Sequence, residues 1–266
     1  MDLELKDKVA VVTGGSRGIG KAISWSLAQE GARVAVVARD VSALDATAAE
    51  ITRATGSAVK AFQADTGSDA AVKAMVQGVL AAFFRIDILV NCAATAGGQT
   101  RAPKLAEMTD EAFWAEMNIK VMGYVRTARE IAPLMAKQGG GRMINISGLA
   151  ARSAGSIIGT IRNISVAALT KNLADELGPQ GISVVCVHPA TTRTEKTEDT
   201  FARQAKAQGV STDEIEKRMA ARNLIGRLIT AEEIGHVVAF LASPKSIAIN
   251  GDVIATGGGT PGAIYY

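Results

Sequence analysis

The chain has 266 residues, 48% of them hydrophobic, which is enough apolar material for one large α/β domain or two small ones. Its formal charge of +3 is scattered and forms no Lys/Arg block, which argues against a nucleic-acid surface. No apolar run reaches membrane-spanning length, and the two histidines, His188 and His236, have no second ligand at a useful spacing, so neither a membrane span nor a metal is expected. The start, MDLELKDK, mixes acids and bases with no apolar run behind it long enough for a signal peptide, and Cys92 and Cys186 sit in strand-like segments as buried free thiols would; the expected location is cytoplasmic.

The first strand-like run, KVAVVTG at 8–14, is apolar on both sides, as a strand buried between two helix layers is. RVAVVAR, AVKAFQAD, IDILVNCA, GRMINIS, ISVVCVHP and GDVIATGG follow the same pattern. Between them, helical spacing of apolar residues predicts helices at about 18–30, 42–55, 68–84, 110–137, 157–177 and 230–242. This alternation predicts an α/β fold in a single domain: a Rossmann-type doubly wound parallel sheet of about seven strands with helices on both faces.

VVTGGSRGIG follows the first strand and opens the first helix. Gly14, Gly18 and Gly20 would let the backbone turn tightly, approach a pyrophosphate and pack helix on strand. The same residues match G-x-S-x-G as Gly14, Ser16 and Gly18. A hydrolase elbow is nevertheless disfavoured, because no earlier strand-loop exists to supply a second oxyanion donor. At the end of the second strand, where a carboxylate would hold a ribose 2′-hydroxyl, Ala38 is followed by Arg39, with Arg17 on the glycine loop. Two guanidiniums suit a 2′-phosphate, so NADP(H) is expected over NAD(H).

Residues 191–226 interrupt the alternation with a charged insertion in which Phe201, Ile215 and Met219 give modest amphipathicity. It is expected to be a lid over the pocket at the C-terminal ends of the strands, with the loops 92–104 and 148–158 shaping the same pocket.

Together these motifs resemble the short-chain dehydrogenase/reductase family over essentially the whole chain. TGGSRGIG matches its TGxxxGxG pattern, which implies that Gly14, Ser16, Arg17, Gly18, Ile19 and Gly20 bind the cofactor. QADTG places Asp65 and Thr66 where the family contacts adenine, and NCAA at Asn91 resembles its NNAG. EMNIKVMG supplies Asn118, matching the helix asparagine that holds an active-site water. HPATTRT resembles PGxxxT, which sets Thr194 against the nicotinamide amide, although Ala190 replaces the usual glycine. The resemblance further implies a small-molecule substrate and a homotetramer, or a dimer, paired through helices 110–137 and 157–177.

The resemblance fails at its chemical centre. Aligned on AALTKNLADEL, the Tyr-x-x-x-Lys pair falls on Gly159 and Asn163, and the catalytic serine falls on Gly148. A shifted gap restores Ser147 but no tyrosine, and no Tyr-x-x-x-Lys occurs anywhere in the chain. The expected catalytic set is therefore Asn118, Ser147 and Asn163. Asn163 can hydrogen-bond ribose hydroxyls but carries no charge. Gly159 leaves a phenol-sized space.

Ser153, Ser156 and Thr160 are unactivated hydroxyls, and Arg162 cannot release its proton. His188 titrates in the right range but reads as a packed residue at a strand end. The expected function is NADP(H)-dependent hydride transfer on a small C=O, C=N or alcohol substrate with an atypical site. The alternatives are a non-redox lyase or isomerase on the same scaffold, and a non-catalytic NADP(H)-binding protein.

Overall fold

A computed structural model describes residues 1–95 and 102–264, so part of the expected pocket loop 92–104 lies outside the described residues. The chain runs β1 (Val9–Thr13), α1 (Gly18–Gln29), β2 (Arg33–Ala38), α2 (Val41–Thr55), β3 (Val59–Gln63), α3 (Asp69–Phe83) and β4 (Ile88–Asn91). It continues through α4 (Asp110–Met117), α5 (Gly123–Lys137), β5 (Gly141–Ile146), α6 (Ile157–Leu177) and β6 (Ile182–Pro189). The last part holds β7 (Thr192–Arg193), α7 (Thr197–Gln208), α8 (Thr212–Ala220), β8 (Ile229–Thr230), α9 (Ala231–Ala242) and β9 (Val253–Thr256).

Among the described residues the main sheet has seven strands in the order β3-β2-β1-β4-β5-β6-β9, and every neighbouring pair is parallel. Side chains alternate across each strand, so both faces must be covered. Ala10 and Val12 pack with Ile23 and Leu27 of α1, Leu44 of α2 and Val238 of α9. Val9 and Val11 point the other way, into Val72 of α3, Ile131 of α5 and Leu177 of α6. The strand order reverses between β1 and β4, which opens a crevice beyond their C-terminal ends, the usual ligand position in such sheets.

Local chemistry sets the helix starts. The Ser68 hydroxyl accepts the Ala71 N–H at α3 (3.3 Å), and the Ser156 hydroxyl accepts the Gly159 N–H at α6 (3.1 Å). The helix expected at 110–137 is instead broken: α4 and α5 are joined by a π-turn over Asn118–Met122. One extra residue in that turn rotates the inward face of the second segment by about 100° relative to the first. The insertion forms the α7–α8 hairpin with its own small core of Phe201, Ala205, Ile215 and Leu228, against which Met219 packs. Arg193 pins the hairpin through Glu198 (2.9 Å) and Glu216. No helix among the described residues is long and apolar enough to cross a membrane.

Candidate active site

The glycine loop is held against β4 from both sides. Thr13 Oγ1 at the end of β1 accepts the N–H groups of Cys92 (3.0 Å) and Ala93 (3.2 Å). The chain then turns at Gly14 with φ +67°, where an added Cβ would stand 2.9 Å from the Ala93 Cα. A Cβ on Gly20 would fall on the carbonyl oxygen of Gly14, so only glycine permits α1 to start this close to β1. Ser16 is buried with its carbonyl accepting the Thr47 hydroxyl (2.9 Å), and Ile19 packs on the core.

The first turn of α1 already holds an anion. Glu195, at the base of the α7–α8 hairpin, accepts the Gly18 N–H at 2.9 and 3.2 Å. The methyl of the neighbouring Thr194 lies 3.6 Å from where a Gly18 Cβ would be, so the structure brings Thr194 to the glycine loop. A carboxylate standing on a helix N-terminus marks a seat for negative charge, and the residues present fit a phosphate there. Arg17 and Arg39 are exposed, and neither guanidinium has a partner among the described residues. Asp65 is exposed with Oδ1 on the Gly67 N–H (2.8 Å), and Thr66 is buried beside it.

Beneath the pocket runs a buried polar chain. Asn91 Nδ2 donates to Asn145 Oδ1 (3.0 Å), and Asn91 Oδ1 accepts the Thr127 hydroxyl (2.7 Å). Asn145 Nδ2 donates to Thr170 Oγ1 (3.0 Å). Asn91 therefore ties β4 to β5 and α5 through its side chain. The Asn118 amide is likewise committed, donating to the Gly67 carbonyl (3.3 Å) and accepting from Arg126 (2.7 Å).

The side chain that the π-turn delivers to Asn163 is that of Lys120. Its Nζ donates to Asn163 Oδ1 (3.0 Å) and to the Ser147 carbonyl (3.0 Å), and the residue is only 4% exposed. Burial, then the charge of Arg162, pushes its pKa down to about 7. Ser147 Oγ donates to the Asn163 carbonyl (2.9 Å), so Ser147, Asn163 and Lys120 form one cluster. Sequence reasoning missed Lys120, although a signal was present. Lys120, Tyr124, Ala128, Ile131 and Met135 recur at i, i+4, i+8, i+11 and i+15, which places the lysine on the buried stripe of its helix.

The other candidate donors are otherwise engaged. The Tyr124 hydroxyl is buried and donates to the Ile146 carbonyl (2.8 Å). Arg162 pairs with Glu116, Thr160 donates to the Ser153 carbonyl (3.2 Å), and Ser156 caps α6. His188 is 2% exposed, and neither ring nitrogen has a partner among the described residues. Burial, then the charges of Arg152 and Lys120, lowers its pKa to about 4, so it is a neutral packed residue. Cys92 and Cys186 are free thiols, pushed by burial up to about 11 and about 12.

The enoyl-(acyl carrier protein) reductase family description matches residues 14–260. The chain is also 35% identical over 257 residues to the short-chain reductase protein NovJ of Streptomyces niveus, covering 96% of this chain and 95% of that one. The chain belongs to the short-chain dehydrogenase/reductase family. Within that family it is 32% identical over 263 residues to the 3-oxoacyl-[acyl-carrier-protein] reductase FabG of Staphylococcus aureus, covering 95% and 97% of the two chains. Its fold matches that of L-sorbose reductase from Gluconobacter frateurii, complexed with NADPH and L-sorbose, at TM-score 0.93 and 30% identity over 99% and 100% of the two chains. The assignment makes this short-chain dehydrogenase/reductase an oxidoreductase by family.

Glu195 occupies the anion seat of the glycine loop, so a phosphate-bearing ligand must displace it. Glu195→Gln is expected to tighten NADPH binding by about two- to fivefold, the range of a helix N-terminal charge interaction. Fluorescence titration checks this, and unchanged or weaker binding would remove Glu195 as the competitor.

Proposed function

We propose that the protein is an NADP(H)-dependent reductase of a small carbonyl or imine compound, in which Gly148, Gly159 and Asn163 take the positions of the family's serine, tyrosine and lysine. The observation that carries this reading is the carboxylate seated on the Gly18 N–H, together with the exposed guanidiniums of Arg17 and Arg39, which have no partner among the described residues. When bound, the cofactor would supply hydride. The glycine loop, with Gly14, Ser16, Gly18, Ile19 and Gly20, would hold its phosphates. Arg39 and Arg17 would clamp a 2′-phosphate, and Asp65, Thr66, Asn91 and Thr194 would complete its site. Asn118, Ser147 and Asn163 remain the proposed catalytic set, with the α7–α8 hairpin as a lid hinged near Thr194.

That L-sorbose reductase was solved with NADPH supports the cofactor, and its sugar ketone supports a carbonyl substrate. A second reading, cofactor binding without turnover, is favoured by Tyr124, whose buried hydroxyl is spent on the Ile146 carbonyl. NADPH oxidation followed by absorbance, with L-sorbose and acetoacetyl-CoA as probes, separates the two. Turnover of either supports the reductase, and tight binding with neither consumed supports the silent role.

Arg39→Asp is expected to erase a parent preference for NADPH over NADH of tenfold or more, about 1.4 kcal/mol. Equal affinity for both cofactors in the parent, measured by fluorescence titration, would refute the assignment.

We further propose a homotetramer, with a dimer as its half. Ile157, Ile161 and Ile164 of α6 and Trp114 of α4 are exposed at 40% or more, on the helices the family resemblance assigns to pairing. Light scattering at micromolar concentration should show the assembly, and a monomer would count against it.

A further inference from the structure

Lys120 is the one buried lysine among the described residues, and it has no carboxylate on it. Its two acceptors are neutral oxygens from β5's exit and from α6, at 3.0 Å each. The charged and titratable groups facing it come from every surrounding element. Arg162 of α6 is paired with Glu116 of α4, and Cys186 and His188 come from β6, with Cys92 just past β4. The thiols, at about 11 and 12, and His188, at about 4, are neutral near pH 7. Lys120, held down by burial to about 7, titrates near neutrality.

The other end of the Asn163 amide points elsewhere. Asn163 is 4% exposed, and its Nδ2 donates to no described residue. That nitrogen stands 3.2 Å from where a Cβ of Gly148 would be, so glycine at 148 is what leaves the N–H uncovered on that side. Oxygen and nitrogen of an amide share one π system. A cation on the oxygen draws electrons from the nitrogen and strengthens its N–H as a donor, the cooperative effect of linked hydrogen bonds.

We propose that Lys120 is a positioning residue that holds and polarises the Asn163 amide, so that Nδ2–H, left uncovered beside Gly148, donates to the oxygen of the substrate. The pair takes over, from two different helices, the work of the missing tyrosine and lysine. This rests on the reductase reading. In carbonyl reduction, hydride adds at carbon and the C=O π pair becomes an oxygen lone pair. Nδ2–H then stabilises that oxyanion, which takes its proton from a solvent water and releases hydroxide. The reductant is the dihydronicotinamide of the proposed cofactor.

The test uses the full chain labelled with 15N-asparagine, with Asn163→Leu identifying the Asn163 side-chain resonance. In the parent that resonance is expected to move with pH, with a midpoint near 7, and to become static in Lys120→Met. A resonance that is static in the parent, or that titrates unchanged in the variant, overturns the proposal. Lys120→Gln serves as the second variant if the methionine chain does not fold.

In NADPH oxidation with L-sorbose or acetoacetyl-CoA, Lys120→Met is expected to lower kcat by less than the roughly hundredfold that removing the oxyanion donor itself costs, because Asn163 remains. The substrate KM should stay near the parent's, and the fall in rate as pH rises through 7 should vanish. An unchanged kcat and pH profile overturns the positioning role. A parent that consumes neither probe counts against the reductase reading, and the Asn163 resonance then decides the Lys120–Asn163 coupling by itself.

Discussion

A buried ammonium must find acceptors, and the placement of Lys120 organises the whole pocket around that requirement. An unpaired charge in an apolar interior costs several kcal/mol or shifts its pKa until it neutralises. Lys120 does some of each: it keeps two neutral oxygens and titrates near 7. Meeting those oxygens draws together the π-turn, the exit of β5 and the second turn of α6. The π-turn makes this reachable, because it re-aims the second segment, α5, which packs on the sheet, relative to α4, which buries no residue.

The rest of the site is built on fixed strand ends. The chain of Asn91, Asn145, Thr127 and Thr170 satisfies polar groups inside the core and locks β4, β5, α5 and α6 at one depth. Thr13 does the same between β1 and β4. Around Gly18 the backbone N–H already carries the Glu195 carboxylate. Around Asn163 the amide oxygen takes the Lys120 ammonium, and its nitrogen stands beside Gly148.

Much of this was legible in the sequence. The strands announced themselves as runs apolar on both sides, and all seven fall in the sheet within a residue or two of the expected segments. The glycine loop was legible because steric demands at Gly14 and Gly20 admit one residue type. That no Tyr-x-x-x-Lys occurs in the chain was legible directly. Three features were not. A π-turn leaves almost no mark on apolar spacing, so α4 and α5 read as one helix. Glu195 on Gly18 is a contact between residues 177 positions apart, which no local pattern encodes. Lys120 belongs to no motif, and only its place on the buried stripe with Tyr124, Ala128, Ile131 and Met135 marks it.

The most direct measurement of this account is the pH dependence of unfolding free energy in urea, compared between the parent and Lys120→Met. The folded-state pKa of Lys120 is lowered to about 7, against roughly 10.4 in the unfolded chain. Between those values the unfolded state binds more protons, so the parent should gain stability relative to the variant as pH rises. The slope should approach about 1.4 kcal/mol per pH unit and flatten below 7, where the burial cost is fully present. A stability difference that stays constant from neutral pH through the lysine range would place the Lys120 amine in solvent and contradict the account.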